Sequence, residues 1–465
     1  MSIMVKKIKS VWNTRIKKNT SPLFQKVGSS IEIDKRLFKE DIKGSIAHVE
    51  MLCKQKIISF KIKNKIIWGL KRIENEIKKK KFIFKKEYED IHMNIEKRLH
   101  EIIGEDSGFM HIARSRNDQV LTDLKLWMKN STNELIKILN NLIKSFINLA
   151  EKNIHTIMPG FTHLKNAQPI SLSHYLLAYV EMFRRDLNRL KYNFNNLNEN
   201  PLGTGALSGT SFNIDRSFTT KKLNFKFPSN NSIDTVSDRD FVLDFLFSSA
   251  VCSMHISRIA EEFIIWNSDA FNLISLKDSL VTGSSMMPQK KNPDSLEYLR
   301  GKSGSAYGNL FSMFTILKGL PLSYFKDLQD DKQLIFKSSD ELKNSLLILN
   351  EIINNIYFNK KKMLELASIG YITATDLADY IVKKFKIPFR KAYKITAKII
   401  NYAEKNKKNL NELSIKEIKN IEKNLDIDVL KVFSLENSIK SKKSYGGTSF
   451  ENIKKMIKKY KKEIK

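Results

Sequence analysis

Residues 109–158 read FMHIARSRNDQVLTDLKLWMKNSTNELIKILNNLIKSFINLAEKNIHTIM, with neither glycine nor proline among them. Leu121, Leu124, Met128, Leu135, Ile138, Leu142, Phe146 and Leu149 recur at three- and four-residue spacing, which predicts one long helix with a persistent apolar seam. The same reading extends along the chain. Pro169 stands where a first helical residue is tolerated, and apolar positions then run from Leu172 to Leu197, until Pro201 and a glycine-rich loop end them. A third helix is expected from Ser237, whose hydroxyl can cap it, towards Phe271. A fourth follows Pro293 to about Lys318, and a fifth starts after Pro321 and carries Leu334, Leu342, Leu346 and Ile353.

Five long helices in succession predict an all-α protein with three domains around a central long-helix bundle. The expected division is 1–113, 114–364 and 365–465, the flanking segments having shorter helices and denser lysine. The long helices carry more apolar surface than a lone bundle needs, so a bundle packed against copies of itself is expected, its core helical and multi-subunit.

Composition narrows the class. With 465 residues and 42% hydrophobic content there is ample material for a multidomain core. A formal charge of +31 would ordinarily suggest nucleic acid. The lysines, however, come in runs mixed with Asn and Ile, and no zinc spacing, RNP-like segment or basic-region heptad accompanies them, so no specific nucleic-acid role is expected. Such a field favours an anionic substrate. Cys53 and Cys252 sit in helical apolar patterns and read as buried thiols of a reducing compartment. The first residues lack a signal-peptide core, and no run reaches the roughly 18 apolar residues of a membrane span. A cytoplasmic protein without membrane contact is expected.

Polar clusters interrupt the helical pattern in a few places. His111–Gln119 precedes the first long helix. Arg114 and Arg116 can grip carboxylates while Ser115 and Asn117 add neutral donors at a helix start, although Asn117 or Asp118 could equally serve as a cap. His163, beside Thr162 in a connection between long helices, has the ring type suited to proton transfer near neutrality. Pro201–Thr210 imitates a dinucleotide fingerprint, but it does not follow a strand and its third glycine falls late. The eight histidines show no metal-type spacing, so neither metal nor cofactor is indicated. Arg239, Lys326 and Lys332 supply cations, and Tyr324 and Gln329 neutral donors. Finally, Gly283–Glu297, GSSMMPQKKNPDSLE, forms a polar loop ending where a helix can begin.

Arg114–Gln119 together with Met287–Asp294 resemble, in residues, order and spacing, the argininosuccinate lyase family within the fumarase/aspartase superfamily. The likeness runs from about Trp12 to about Gly447. It implies an all-helical three-domain subunit and a homotetramer whose active sites draw on different subunits. It also implies reversible β-elimination of argininosuccinate to arginine and fumarate without cofactor or metal. The proton removed lies beside a carboxylate, so a doubly charged aci-carboxylate must be stabilised, which needs cations and fixed donors more than a strong base. By resemblance Ser284 abstracts that proton, with backbone N–H groups and Lys290 supporting its alkoxide, and loop closure completes the site. His163 serves the acid side, with Glu297 orienting it. Ser30, His92, Arg114, Ser115, Asn117, Thr162, Arg239, Asn292, Tyr324, Gln329 and Lys332 hold the substrate.

Departures cluster near the N-terminus. Trp12–Ile16 lacks the two glycines usual in the family, Val27–Ile31 and His111–Arg114 are altered, and Arg15 and Ser30 survive. Another superfamily lyase, acting on adenylosuccinate or fumarate, and a noncatalytic structural protein on the same scaffold are the competing readings. Gln289-Lys290-Lys291 speaks against the first, and intact Ser284, His163 and Lys290 against the second.

Overall fold

The computed structural model describes residues 21–464. Trp12–Ile16, with Arg15, lie outside the described residues. Counting only the longer helices, α1 is Phe38–Lys54, α2 Phe60–Lys78, α3 Ile91–Ile103, α4 Arg116–Glu151, α5 Leu172–Asn196, α6 Asp240–Asn267, α7 Asp294–Leu317, α8 Asp331–Asn355, α9 Ala374–Phe385, α10 Phe389–Lys405 and α11 Phe450–Glu463. The five long helices expected from periodicity are α4 to α8.

Strands are few and short among the described residues, each paired with one partner. They are β1 Ile157–Thr162, β2 Lys165–Ser171, β3 Glu199–Asn200, β4 Phe227–Pro228, β5 Ile274–Leu276, β6 Thr282–Gly283, β7 Lys291–Asn292 and β8 Ile356–Phe358. They tie loops together and form no layer.

Helix starts follow local capping. The Ser115 hydroxyl accepts the Asn117 N–H at 3.2 Å, and Asp118 accepts the Ser115 N–H at 2.9 Å, a reciprocal cap that opens α4. Three expected starts shift. Pro169 lies in β2 opposite Pro159, in a ribbon whose edge needs no donor there, and α5 begins after Ser171, whose hydroxyl accepts the Ser173 N–H. Ser237 closes a short helix, Ser232–Ser237, by donating to the Ile233 carbonyl. Asp238 instead accepts the Asp240 N–H at the start of α6. A turn of 3-10 helix, Lys326–Gln329, precedes α8, which therefore starts later than Pro321 suggests.

The chain divides into two compact units, and each long helix contributes to both ranges. The first contains the residues up to Leu135, Arg189–Ala250 and Ala306–Asp340. Its core joins Val49, Leu52, Ile66, Leu70, Ile95 and Leu99 from α1 to α3 with Phe336 of α8. Each such side chain contributes roughly 1.5–3 kcal/mol over exposure. Gly69 permits the close approach of α2 and α3, because a Cβ there would lie 2.5 Å from a Leu99 methyl.

The second unit contains Ile136–Asn188, Val251–Ser305 and the residues from Glu341 onward. Phe146, Tyr179 and Phe183 stack in its interior, and the Tyr175 and Tyr179 hydroxyls both donate to Glu262. Leu377, Ile381, Ala392 and Ile399 of α9 and α10 form a separate cluster within it. α6 is long and apolar enough to cross a membrane, yet Val242, Leu246, Ile256, Ile259 and Phe263 are buried in the protein, the pattern of a core helix.

Candidate active site

A cavity of about 520 Å³ opens in the first unit. Four stretches far apart in sequence line it: Ser30, then His92 at the start of α3, then Arg114, Ser115 and Asn117 at the start of α4, and then Tyr324, Gln329 and Lys332. These are eight of the residues expected from sequence.

Most are held from behind. The Ser30 hydroxyl donates to Asp34, whose other oxygen accepts the Ile91 N–H at 3.0 Å, tying the Ser30 segment to α3. Arg114 is 7% exposed and donates to Ser45 Oγ at 2.9 Å, while its Nε is buried without a partner. Asn117 donates to the Ala206 carbonyl, and Gln329 to the Gly28 carbonyl. Lys332 lies 2.6 Å from Asp331.

Arg239 does not line the cavity. It is buried against the other oxygen of Asp331, also at 2.6 Å, so it fixes the carboxylate that fixes Lys332. Burial alone would raise Asp331; Lys332 and Arg239 together hold it below the usual carboxylate range. Removing either cation from such a buried pair is strongly destabilising.

Burial and the neighbouring Asp90 carry Asp34 up to about 6 against the pull of His92 and Lys332. Burial likewise lifts Tyr324 to about 12, keeping it a hydroxyl donor at neutral pH. Burial, with Arg114 and Arg116 nearby, lowers His111 to about 4. The glycine loop 201–210 follows the two-residue β3 and has an internal ligand: Gly203 and Gly205 donate to Asp118 at 2.9 and 3.0 Å. Its amides therefore serve the cavity wall, since Asp118 also caps α4.

Behind His92, Asp41 and Asp123 bring carboxylate oxygens near its ring, all within 4.8 Å of one another. The Gln119 amide already donates to Asp41, and the Arg114 guanidinium acts on both carboxyls. With a guanidinium and an amide donor in place, the group suits a shared proton better than a second cation.

The other predicted residues belong to the second unit. β1 and β2 form a hairpin whose turn is His163-Leu164, both with positive φ, at +53° and +58°. This is the primed-turn geometry that two-residue hairpins favour. Thr162 and His163 are exposed there. Asn166 anchors the hairpin by donating to the Leu366 carbonyl at 2.9 Å.

Ser284 opens a second hairpin loop, closed at its base by Thr282 opposite Asn292 and Gly283 opposite Lys291. Its Oγ accepts the N–H groups of Met286 and Met287, at 3.3 and 3.1 Å. Two fixed N–H dipoles favour negative charge on that oxygen. These two donors belong to the same loop, Gly283–Glu297. Lys290 and Glu297 are exposed, and no hydrogen bond joins Glu297 to His163.

Asp34, Asp90 and Glu89 also line the cavity without having been singled out as site residues by sequence, and Lys326, expected as a cation, lines it too. For Asp41, Ser45 and His48 a signal existed. They are polar residues at four- and three-residue spacing on a face of α1 that also carries Leu52, and all are buried.

A helical scaffold with short strands only at loops, and a cationic, donor-rich cavity, define a lyase of the fumarase/aspartase superfamily. A family model described as Lyase matches residues 14–308, and one described as Argininosuccinate lyase C-terminal matches 371–440. The argininosuccinate lyase of Pelagibacter ubique (strain HTCC1062) is 70% identical over 453 residues, 97% of this chain and 98% of the relative. That of Ehrlichia canis (strain Jake) is 47% identical over 449 residues, 97% of this chain and 95% of the relative. Among solved structures, a variant EDDS lyase with bound fumarate aligns with a TM-score of 0.83 at 26% identity, covering 96% of this chain and 91% of that one. A class II fumarase from Schistosoma mansoni shares the fold, with a TM-score of 0.71 at 19% identity over 84% of this chain and 89% of that one. The chain belongs to the argininosuccinate lyase family.

Proposed function

We infer that the protein is an argininosuccinate lyase, cleaving argininosuccinate reversibly to L-arginine and fumarate in arginine biosynthesis. The observation that carries this is the cavity that gathers Arg114, Lys332 and His92 with the neutral donors of Ser115, Asn117, Tyr324 and Gln329, in a chain 70% identical to a named relative of that activity. Buried cations and fixed donors suit a substrate with three carboxylates.

In the elimination, Ser284 takes the proton beside the carboxylate, its oxygen supported by the Met286 and Met287 N–H groups. The electron pair left on that carbon spreads into the carboxylate as an aci-carboxylate, which Lys290 stabilises. The carbon–nitrogen bond then breaks, its pair going to the guanidino nitrogen, which His163 protonates. Thr162 and Asn292 contact the substrate near these groups, Ser30 and Asn117 bind it in the cavity, and Glu297, which makes no hydrogen bond to His163 within the subunit, orients it in the assembly. Arg239 acts through Asp331 on Lys332. No step draws on a cofactor.

His163 and Glu297 are exposed within the subunit, and Ser284 is half-buried, which supports an active site completed by other copies in a homotetramer. Exposed Tyr307, Phe311 and Phe314 on α7 give such an assembly an apolar face. The functional division proposed is 1–113, 114–364 and 365–465, with the catalytic loop in the middle segment, and the location proposed is the cytoplasm.

The test measures fumarate release, as an ultraviolet rise, from argininosuccinate and adenylosuccinate side by side. Turnover of argininosuccinate alone is expected; preference for adenylosuccinate, or no turnover of either, would overturn the reading.

A further inference from the structure

Asp41 on α1, with Gln119 and Asp123 on α4, takes no part in the steps above, yet all three converge on one cavity residue. Asp41 Oδ1 lies 2.8 Å from His92 Nδ1 and also accepts the Gln119 amide. Asp123 Oδ2 lies 3.4 Å from the same Nδ1 and has no hydrogen-bond partner. The three acidic and imidazole side chains are each 1% exposed. Gly44 leaves room for them, since a Cβ there would stand 3.3 Å from Asp123 Oδ1.

The opposite ring nitrogen, His92 Nε2, is buried with no partner, and His92 lines the cavity. A carboxylate on one imidazole nitrogen fixes both the ring plane and the proton at that nitrogen, leaving the other for a ligand.

Charge decides how two carboxyls share this space. Side by side and away from water they do not both ionise. Burial and the neighbouring Asp41 raise Asp123 well above the ordinary range. Burial would raise Asp41 too, but His92, Arg114 and Gln119 hold it low. The groups facing the ring are therefore one carboxylate and one neutral acid, with Arg114 as counterion and Asp34 and Lys332 acting from the cavity side.

We propose that Asp41 is a positioning residue that holds the Nδ1–H of His92, with Asp123 as a neutral acid sharing its proton with Asp41, so that His92 presents Nε2 to the bound substrate. This rests on the cavity being the substrate site.

The test uses the full chain with nitrogen-15 histidine, the His92 signal being identified by its loss in His92→Gln. The expected wild-type spectrum has the proton on Nδ1. Asp41→Asn should move that proton towards Nε2 and lower kcat/KM by about 10- to 100-fold. Asp123→Asn, whose amide can donate as the acid does, should keep the Nδ1 proton with only a few-fold loss.

A wild-type His92 lacking a proton on Nδ1 would overturn the proposal even if Asp41→Asn failed to fold. So would an Asp41→Asn protein with unchanged spectrum and turnover. If the wild type leaves argininosuccinate untouched, the functional reading fails separately, while the spectrum still decides how His92 is held.

Discussion

The cavity of the first unit and the Ser284 hairpin of the second are built on opposite plans. In the cavity, Arg114 and Lys332 are 7% and 3% exposed and backed by partners that are themselves buried. In the hairpin, Lys290 is exposed and Met286 is 86% exposed, with a two-residue ladder as the support at its base. Groups that recognise charge gain from a dry, fixed setting, because the field they exert is strongest there. The groups proposed to move protons sit where they can admit substrate and then be covered.

The largest expected effect tests the open region. Ser284→Ala should lower kcat by about a thousandfold to ten-thousandfold with little change in KM, measured as steady-state fumarate release. Wild-type rates in that variant would mean that the hairpin is a cover and the base lies elsewhere.

Next comes the closed region. Arg239→Leu leaves the fully buried Asp331 with one cation, and a loss of about 3–5 kcal/mol in stability is expected by denaturant titration. A loss below about 1 kcal/mol would show that water reaches the pair.

Acid titration gives the third contrast. Asp34 has its folded pKa raised from 3.8 to about 6. Between those values the folded state binds more proton than the unfolded one, so its contribution to stability is complete below about pH 4 and declines as pH rises through 6. Asp34→Asn should remove about 2–3 kcal/mol of that pH dependence; an unaltered profile from pH 4 to 7 would contradict it.

The smallest effect belongs to the hairpin again. Lys291 pairs with Asp278 at 2.7 Å, both well exposed, so Lys291→Ala should shift the melting transition by less than about 1 kcal/mol. A larger shift would mean that the hairpin base carries more than its ladder.

Sequence reading recovers what periodicity controls. Helices α4 to α8 follow from apolar spacing, and their starts miss where a hydrogen bond outside the helix decides, as at Ser237 and Ser171. Both hairpins escape it: β6 and β7 are two residues each, and the longer β1 and β2 carry Pro159, Gly160, Pro169 and a register shift in place of an alternating pattern. Ser30 and His92 became site residues only through the family likeness, since nothing local in their segments announces a shared cavity. Asp41 was legible in principle as a carboxyl on an inward helix face, whereas pairing across elements, as of Arg239 with Asp331, lies beyond any local pattern.

The ladder beneath the Ser284 loop sets a fulcrum. Gly283 is its last paired residue, and neighbouring Cα atoms lie about 3.8 Å apart, so the Ser284 Cα stays at that distance from a fixed point. Pro288, three residues from Lys291, can range to about 11 Å. The long arm of this lever is the Met-Pro tip, and the serine rides near the pivot. Swinging the loop therefore changes what covers Ser284 far more than where Ser284 is, so substitutions at the tip should act on how long substrate is retained rather than on the serine's own placement.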